Sequence, residues 1–191
     1  GYFAANLDLP YISNQIAKIV LKQHYDKDEV LAVWLPCFMP TRASALWNAV
    51  RYDKDIEYKT WFDSKAEIHE HYLLIKKLFA AFSGKTKTFS PCVFPWYEAT
   101  IKKSDFAEIL CTLAALSGDN EKIDEACDLI KECNSDQRQF YFSALLRNPK
   151  TPIQRKTVLE GLVDRETYTR KAAYDIVSKI TLSADEYRSI E

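Results

Sequence analysis

The chain has 191 residues with 26 basic and 27 acidic side chains, and its formal net charge of −1 excludes a strong overall attraction to nucleic acid or to an anionic membrane. Hydrophobic residues make up 47% of the chain and charged residues 28%, which is the balance of a soluble globular protein that can bury a sizeable core. With only 4 glycines and 7 prolines, the chain has little material for tight turns between strands, so the composition favours helices.

The cysteines predict a reducing compartment. There are 5 of them and they lack the close spacing of a disulfide framework, so we predict reduced thiols in a cytoplasmic protein. No apolar run reaches about 18 residues and no signal segment opens the chain, which predicts that the protein does not span a membrane. The chain begins with Gly1 and ends at Glu191 within a predicted helix, and we interpret it as a piece of a longer protein.

Residues 1–100 are predicted to form an irregular helical half with proline-rich corners. Apolar residues recur at helical spacing in four segments: residues 8–25, 29–35, 41–53 and 64–84. The last of these begins with a capping box, Ser64-Lys65-Ala66-Glu67, and ends at Gly84. Residues 85–90 are predicted to be a turn or linker. Residues 89–97 contain two prolines and are predicted to be extended.

Residues 101–191 are predicted to form a regular series of short helices. Six residues that favour the N-cap position recur at intervals of about 13–19 residues, and each precedes a helical pattern. They are Ser104, Asp119, Ser135, Thr151, Asp164 and Ser183. Short helices at such an interval are typical of stacked helical hairpins. The two halves are expected to form one continuous unit.

The clearest hairpin lies in residues 151–180. Thr151 is expected to cap its first helix, with Pro152 at the first helical position and Gln154 at the spacing of a capping box. Asp164 is expected to cap the second helix. The apolar side of that helix repeats every four residues, at Tyr168, Ala172, Ile176 and Ile180.

This hairpin resembles the HEAT repeat. The resemblance lies in a proline near the start of the first helix, leucines along it, an aspartate at the turn, and a second helix of the form aromatic-x-Arg-x-Ala-Ala-x-x-hydrophobic. The matching residues are Pro152, Leu159, Leu162, Asp164, Tyr168, Arg170, Ala172, Ala173, Ile176 and Ile180. In that family, helix pairs stack into curved solenoids that bind partners. The resemblance covers about one repeat and implies an all-α fold of antiparallel hairpins stacked as an α-solenoid. An ordinary hairpin in a globular helical domain is the alternative.

The sequence lacks the short motifs of common catalytic and cofactor-binding loops. It has no GxxxxGK[ST], GxGxxG or GxSxG pattern, so we predict no cofactor. His69 and His71 point about 200° apart on one helix and cannot share a metal ion. Two Pro-Cys-apolar-apolar-Pro corners are interpreted as rigid turns, and a thiol pair formed by Cys37 and Cys92 is the alternative. We predict neither a metal site nor catalytic residues.

We therefore predict a non-enzymatic protein-interaction or scaffold module built of helical repeats, with a protein or peptide partner and no binding to nucleic acid or membrane. The candidate binding residues are Phe140, Phe142, Arg155, Tyr168 and Arg170. The same side chains could instead pack between repeats. The alternative function is a nucleic-acid-binding protein or a repair enzyme, since some DNA glycosylases resemble HEAT solenoids and hold DNA in a basic channel. A spacer inside a larger protein is the third possibility.

Overall fold

A computed structural model of the protein describes residues 64–81, 86–89 and 99–188. The helices predicted in residues 8–25, 29–35 and 41–53 lie outside these residues, and so do Gly84 and both Pro-Cys corners.

The described residues form seven α-helices, one turn of 3₁₀ helix and two short strands. In chain order these are α1 (Lys65–Ala81), β1 (Thr86–Phe89), β2 (Ala99–Lys102), α2 (Lys103–Ser117), α3 (Asn120–Leu129), the 3₁₀ turn Ile130–Glu132, α4 (Ser135–Leu146), α5 (Pro152–Gly161), α6 (Thr167–Val177) and α7 (Ala184–Arg188). The predicted helical class is confirmed for this part of the chain.

The two strands are the departure from the predicted helical class. They pair antiparallel, with Thr86 opposite Lys102 and Phe89 opposite Ala99. The prediction of a turn or linker for residues 85–90 is therefore wrong over Thr86–Phe89. Each strand has four residues, which is too short for an alternating pattern to be recognised. The strands form because each supplies the backbone hydrogen-bond partners of the other. Neither segment on its own indicates this pairing.

Helix α2 lies at the centre of the described structure. Of its 15 residues, 11 are buried, including Phe106, Ile109 and Leu113. A helix that is apolar on nearly every side must be covered on every side. Helices α1, α3 and α4 and the 3₁₀ turn all pack against it. From α1, the side chains of Ile68 and Ile75 are fully buried in the same core cluster.

The division of the chain at residue 100 does not divide this core. Helix α1 belongs to the predicted irregular half and α2 to the predicted repeat half, yet they pack on each other over their length. Lys103 at the start of α2 lies 5.3 Å from the centre of the Phe79 ring near the end of α1, so the two helices run antiparallel. The described residues on both sides of residue 100 therefore share one core.

Helices that are two positions apart in the chain also pack together. Helix α2 packs on α4, α4 packs on α6, and α3 packs on α5. Helix α1 reaches α3 through Glu125, which accepts hydrogen bonds from the Tyr72 hydroxyl at 3.0 Å and from Lys76 Nζ at 2.8 Å. Helix α5 reaches α7 through an ion pair of Arg155 with Glu186. The odd-numbered helices thus adjoin one another, and so do the even-numbered ones.

Several of the predicted helix starts are confirmed by their hydrogen bonds. The Thr151 hydroxyl accepts from the backbone N–H of Gln154 at 3.2 Å, and Pro152 is the first residue of α5. Asp119 caps α3 by accepting from the N–H of Glu121. At α7, Ser183 and Glu186 form the full capping box, since each side chain accepts from the other residue's backbone N–H.

Other predicted caps are displaced by one or two residues. The side chain of Asn134, not Ser135, caps α4. Helix α6 begins at Thr167, because the Asp164 carboxylate accepts from the N–H of Glu166 and closes a separate turn before the helix. The predicted box at Thr151 is only half formed, since Gln154 Oε1 accepts from the N–H of Lys150. Short polar side chains favour caps and turns alike, so sequence alone does not distinguish them.

Helices α5 and α6 approach closely at Gly161. A Cβ atom built on Gly161 would lie 2.8 Å from Cε2 of Phe142 and 3.0 Å from Cβ of Ala173. Both neighbours are buried, at 2% and 0% exposure. The absence of a side chain at Gly161 therefore lets the Phe142 ring lie against the backbone of α5.

We expect Gly161→Ala to lower the free energy of unfolding by about 1–3 kcal/mol, because the added methyl group forces Phe142 or α6 to move. Alanine has the higher helix propensity, so without this clash the same change would stabilise the helix. Urea denaturation measures the effect. Lys156→Ala, on the exposed side of α5, is the control and should stay within about 0.5 kcal/mol of the wild type. Equal stability of Gly161→Ala and the wild type would contradict the close approach.

The ion pair between α5 and α7 has two points of contact. Arg155 Nε donates to Glu186 Oε1 at 2.6 Å and Arg155 Nη2 donates to Glu186 Oε2 at 2.8 Å. The same guanidinium donates to the Thr181 carbonyl at 2.7 Å. Arg155 and the backbone N–H of Ser183 lower the pKa of Glu186 to about 2. The bond is therefore present above the ordinary glutamate pKa and is lost on acidification.

We expect the difference in unfolding free energy between the wild type and Glu186→Gln to be constant above about pH 5 and to shrink as the pH falls from about 4.5 towards 2. Only the folded state has the lowered pKa of Glu186. The stability that the ion pair contributes therefore disappears once the carboxylate is protonated in both the folded and the unfolded state. Urea denaturation of both proteins across this range measures the difference. Carbon NMR of the Glu186 carboxyl provides a direct check, and a midpoint near 4.5 would exclude the bidentate pair.

Candidate functional site

The five residues proposed from sequence as a binding face differ in their exposure to solvent. Tyr168 is 66% exposed, whereas Phe142 is only 2% exposed. Phe140, Arg155 and Arg170 are half-buried. Tyr168 is therefore the one residue of the five that is mostly exposed.

Phe142 belongs to the core and not to a recognition face. Its ring fills the space above Gly161 between α4 and the α5–α6 hairpin. The alternative prediction for the aromatic residues is that they pack between repeats, and Phe142 is packed between helices. An aromatic residue at helical spacing has the same sequence pattern in either role.

The two arginines of the predicted face are bonded to the protein itself. Arg155 holds Glu186, as described above. Arg170 Nη1 donates to the carbonyls of Asp164 at 2.7 Å and Arg165 at 2.9 Å, and its Nη2 donates to the Thr167 hydroxyl. Arg170 thus closes the turn that precedes α6.

Most of the large apolar side chains exposed in the described residues lie on the last hairpin. Five such side chains are exposed, and four of them belong to residues 151–180: Ile153, Val163, Tyr168 and Tyr174. Tyr174 is 69% exposed and Val163 83%. These four side chains lie on α5, on the turn after it and on α6, so this hairpin has more exposed large apolar side chains than any other part of the described structure.

Two acidic residues of α3 and one of the 3₁₀ turn are bonded to neighbouring elements. Asp124 Oδ1 accepts from the Thr151 hydroxyl at 2.6 Å and from Gln154 Nε2 at 2.8 Å, which joins α3 to α5. Glu125 joins α3 to α1, and Glu132 pairs with Lys103 at 3.2 Å. Asp124, Glu125 and Glu132 therefore connect this part of the chain to α5, α1 and α2.

The described cysteines are core thiols. Cys111, Cys127 and Cys133 are buried and unbridged, and the sulfur atoms of Cys111 and Cys133 lie 3.8 Å apart. Burial raises the pKa of Cys127 to about 11 and raises the pKa of Cys111 as well. A thiol with a raised pKa carries little thiolate at neutral pH, which argues against a nucleophile at these positions.

The described histidines do not form a paired site. His69 is exposed, and the ring of the buried His71 bonds through Nδ1 with the backbone carbonyl of Glu67 at 2.8 Å. Within residues 64–81, 86–89 and 99–188, no three His, Cys, Asp or Glu side chains come together as a metal-binding group. None of the helices in this part of the chain combines the length and apolar character needed to cross a membrane.

A cleft of about 450 Å³ opens where the ends of several helices meet. The apolar described residues that line it are Ala115, Leu116, Ile123, Ala144 and Leu145. The polar and charged ones are Lys65, Ser117, Asn120, Arg147, Asn148 and Lys150, with Gly118 between the end of α2 and the start of α3. A volume of this size is within the range of small-ligand and peptide side-chain pockets.

Two turns of the chain that are held by hydrogen bonds lie on either side of the cleft. Gly118 ends α2 with φ of +64°, a left-handed conformation that favours glycine, and its N–H bonds to the Ala114 carbonyl. Asp119 then caps α3 at once. On the other side, Gln154 holds the backbone of Lys150 with a hydrogen bond of 2.8 Å. The helix ends that line the cleft are thus fixed by local hydrogen bonds.

Charged residues lie both in the cleft and beside it. Its described lining includes three cationic residues, Lys65, Arg147 and Lys150, and no carboxylate. Asp119 lies between two lining residues, but Lys122 Nζ contacts its Oδ2 at 2.5 Å. This hydrogen bond holds the pKa of Asp119 below its usual value. Glu121 and Asp124 directly follow the lining residues Asn120 and Ile123, so acidic side chains adjoin the cleft as well.

None of the five residues predicted from sequence lines this cleft. Its lining comes from the ends of α1, α2, α3 and α4 and the loop that follows α4, which are segments distant in sequence. One sequence feature could have indicated the cleft. It is the run Arg147-Asn148-Pro149-Lys150, a cationic turn between two predicted helices. Lys65 and Ile123 reach the same place only through the packing of α1 and α3.

Comparison with known proteins identifies one relationship. The family model described as a family of unknown function (DUF5724) matches residues 1–191, the whole chain. The chain belongs to this family. No curated protein and no solved structure matches the chain. The resemblance of residues 151–180 to a HEAT repeat stays a prediction from sequence.

We expect Gln154→Ala to lower the free energy of unfolding by about 1–3 kcal/mol, because Asp124 and the Lys150 N–H each lose a hydrogen-bond partner near the cleft. Gln154 is 1% exposed, so water cannot readily replace both bonds. Urea denaturation is the measurement. Ser178→Ala removes an exposed hydroxyl that bonds only within its own turn and should cost no more than about 0.5 kcal/mol. A similar small loss for both variants would count against a structural role of the Gln154 bonds.

Proposed function

We propose that this chain is a non-enzymatic protein-interaction or scaffold module in which antiparallel helical hairpins are stacked as a HEAT-like α-solenoid. The observation that carries the proposal is the order of helix packing. From α2 to α6, each helix packs on its neighbours in the chain and on the helices two positions away. Two rows of helices with this connectivity are what stacked hairpins produce, because each hairpin covers its apolar side with the next one.

The exposed apolar side chains support the same proposal. Tyr168 and Tyr174 are the large aromatic side chains that the described residues leave most exposed, and both lie on α6. Helix α6 packs on α4 and α5 with its other face, where Ala173 and Ile176 are buried. Tyrosine is enriched at protein interfaces because it combines a large apolar area with a hydrogen-bonding end.

A protein partner agrees better with the described residues than a nucleic acid. Arg155 and Arg170 donate to acceptors of the protein itself, which reduces the guanidinium groups available for phosphate. Lys156 is paired with Glu160 at 3.8 Å. Three cationic residues of the hairpin are thus bonded within the protein, which argues against the basic stripe that a DNA-binding channel requires.

Affinity capture with the wild type and with Tyr168→Ser/Tyr174→Ser tests the proposal. We expect a partner that the wild type enriches and the double variant loses by at least about tenfold, because the buried area of two tyrosines is removed from the interface. The partner is then purified and its binding measured by calorimetry with both proteins.

Leu73→Ser is the matched control, since Leu73 is a large exposed apolar side chain on α1. It should retain the partner. Circular dichroism of all three proteins verifies that the helices are intact. Equal capture by the wild type and the double variant, or the absence of any enriched protein, would overturn the proposal for the α6 surface.

A further inference from the structure

We propose that the exposed face of α6 around Tyr174 binds an amphipathic helix of a partner chain, in the place that the next even-numbered helix of the row would take. The inference rests on the proposed function as an interaction module, and it names the kind of partner that this surface accepts. It is carried by a repeat in the positions of the helices, which assigns different roles to Tyr174 and Tyr168.

The helices from α2 to α7 recur every 32 residues. The N-cap residues are Lys102, Asn134 and Glu166 for the even-numbered row α2, α4 and α6, and Asp119, Thr151 and Ser183 for the odd-numbered row α3, α5 and α7. Successive helices of a row adjoin one another. Residues that are 32 positions apart therefore occupy equivalent places in successive hairpins.

One repeat position is buried in α2 and α4 but exposed in α6. Leu110, Phe142 and Tyr174 are equivalent in these three helices, and their exposed fractions are 1%, 2% and 69%. Phe142 is covered by the following hairpin, since its ring lies against the backbone of Gly161. In the part of the chain that the structure describes, no even-numbered helix follows α6, and Tyr174 is exposed. The repeat therefore indicates that a further helix is what covers this position.

Helix α7 already occupies the odd-numbered place beside this face. Gln154, near the start of α5, donates to Asp124 of α3 at 2.8 Å. Its equivalent near the start of α7, Glu186, accepts from Arg155 of α5 at 2.6 Å. Helix α7 thus adjoins α5 as α5 adjoins α3. A helix that packs on α6 would form a pair with α7, as α6 does with α5.

The repeat separates Tyr174 from Tyr168, although the two side chains are 69% and 66% exposed. The equivalents of Tyr168 are Ser104 in α2 and Asp136 in α4, and Asp136 is exposed. A position that is polar in both earlier repeats is not part of the face on which helices stack. Tyr174 belongs to that face, and Tyr168 lies outside it.

The surroundings of Tyr174 define the chemistry of the partner helix. Lys171 and Asp175 lie within one turn of Tyr174 and are exposed. Among the described residues, neither the Lys171 ammonium nor the Asp175 carboxylate has a hydrogen-bonding or ionic partner. The partner helix therefore needs an apolar side with a small residue facing the tyrosine ring, as the earlier repeat has at Gly161, and charged residues of both signs at the edges of that side.

NMR titration of the isotope-labelled protein with a synthetic peptide tests the inference. The probe has the sequence of residues 164–180, because the helix in these residues packs on α4 in the equivalent place one repeat earlier. We expect a dissociation constant below about 1 mM, with amide shifts concentrated at Lys171, Tyr174 and Asp175 and on α7. Tyr174→Ser should weaken binding by at least about fivefold, because the apolar area of the ring is lost from the contact.

Tyr168→Ser is the matched control, since it removes the same kind of side chain from an exposed position of α6 outside the stacking face. It should leave the affinity within about twofold of the wild type. The second control is a peptide of the same composition in which the apolar residues no longer recur at helical spacing, and it should not bind. The inference is overturned by the absence of binding at about 1 mM peptide, by shifts elsewhere, by equal weakening in the two variants, or by equal binding of the scrambled peptide.

Failure of this inference and failure of the proposed function are distinguishable. If Tyr168→Ser/Tyr174→Ser loses a captured partner while the peptide does not bind, the interaction module stands and its partner is not a helix of this kind. If the peptide binds through Tyr174 while no partner is captured, the surface accepts a helix and the proposed function fails.

Discussion

The burial of α2 is the constraint on which the described structure depends. A helix whose side chains are apolar on almost every face is stable only if other elements remove all of those faces from water. Helices α1, α3 and α4 do so, and α3 and α4 pack in turn on α5 and α6. Helix α5 packs on α3 and α6 packs on α4 for this reason, because a short helix cannot remove its own apolar side from water.

Polar side chains decide how the covering helices are aligned. Glu125 joins α3 to α1, Asp124 joins α3 to α5, and Glu186 joins α7 to α5. The buried Glu108 of α2 accepts from the Asn134 N–H at 3.0 Å and from the Tyr141 hydroxyl at 3.1 Å. Apolar contact is not directional, whereas these bonds are satisfied in one arrangement only, so they select one register among many packings of similar apolar area.

Local sequence predicted the elements better than the sites. The cap at Thr151, the proline at the first position of α5 and the capping box at Ser183 depend on residues within one turn, and all three are present. The acidic residues of α3 could not be assigned in this way, since a bridging carboxylate and a solvated one have the same spacing. For Phe142, only the position of Gly161 on another helix decides that its ring is covered.

The sequence by itself determined that the described part of the chain is mainly helical, where several of its helices begin, and that the apolar sides of these helices must be covered. Hydrophobic periodicity, capping residues and composition depend on a few neighbouring residues, so each can be recognised within a single segment. The tertiary structure decided which helices adjoin, that Thr86–Phe89 pairs with Ala99–Lys102 as strands, and that Lys65, Ile123 and Lys150 surround one cleft. Those features depend on contacts between distant segments, and the energy of such a contact is absent from either segment taken alone.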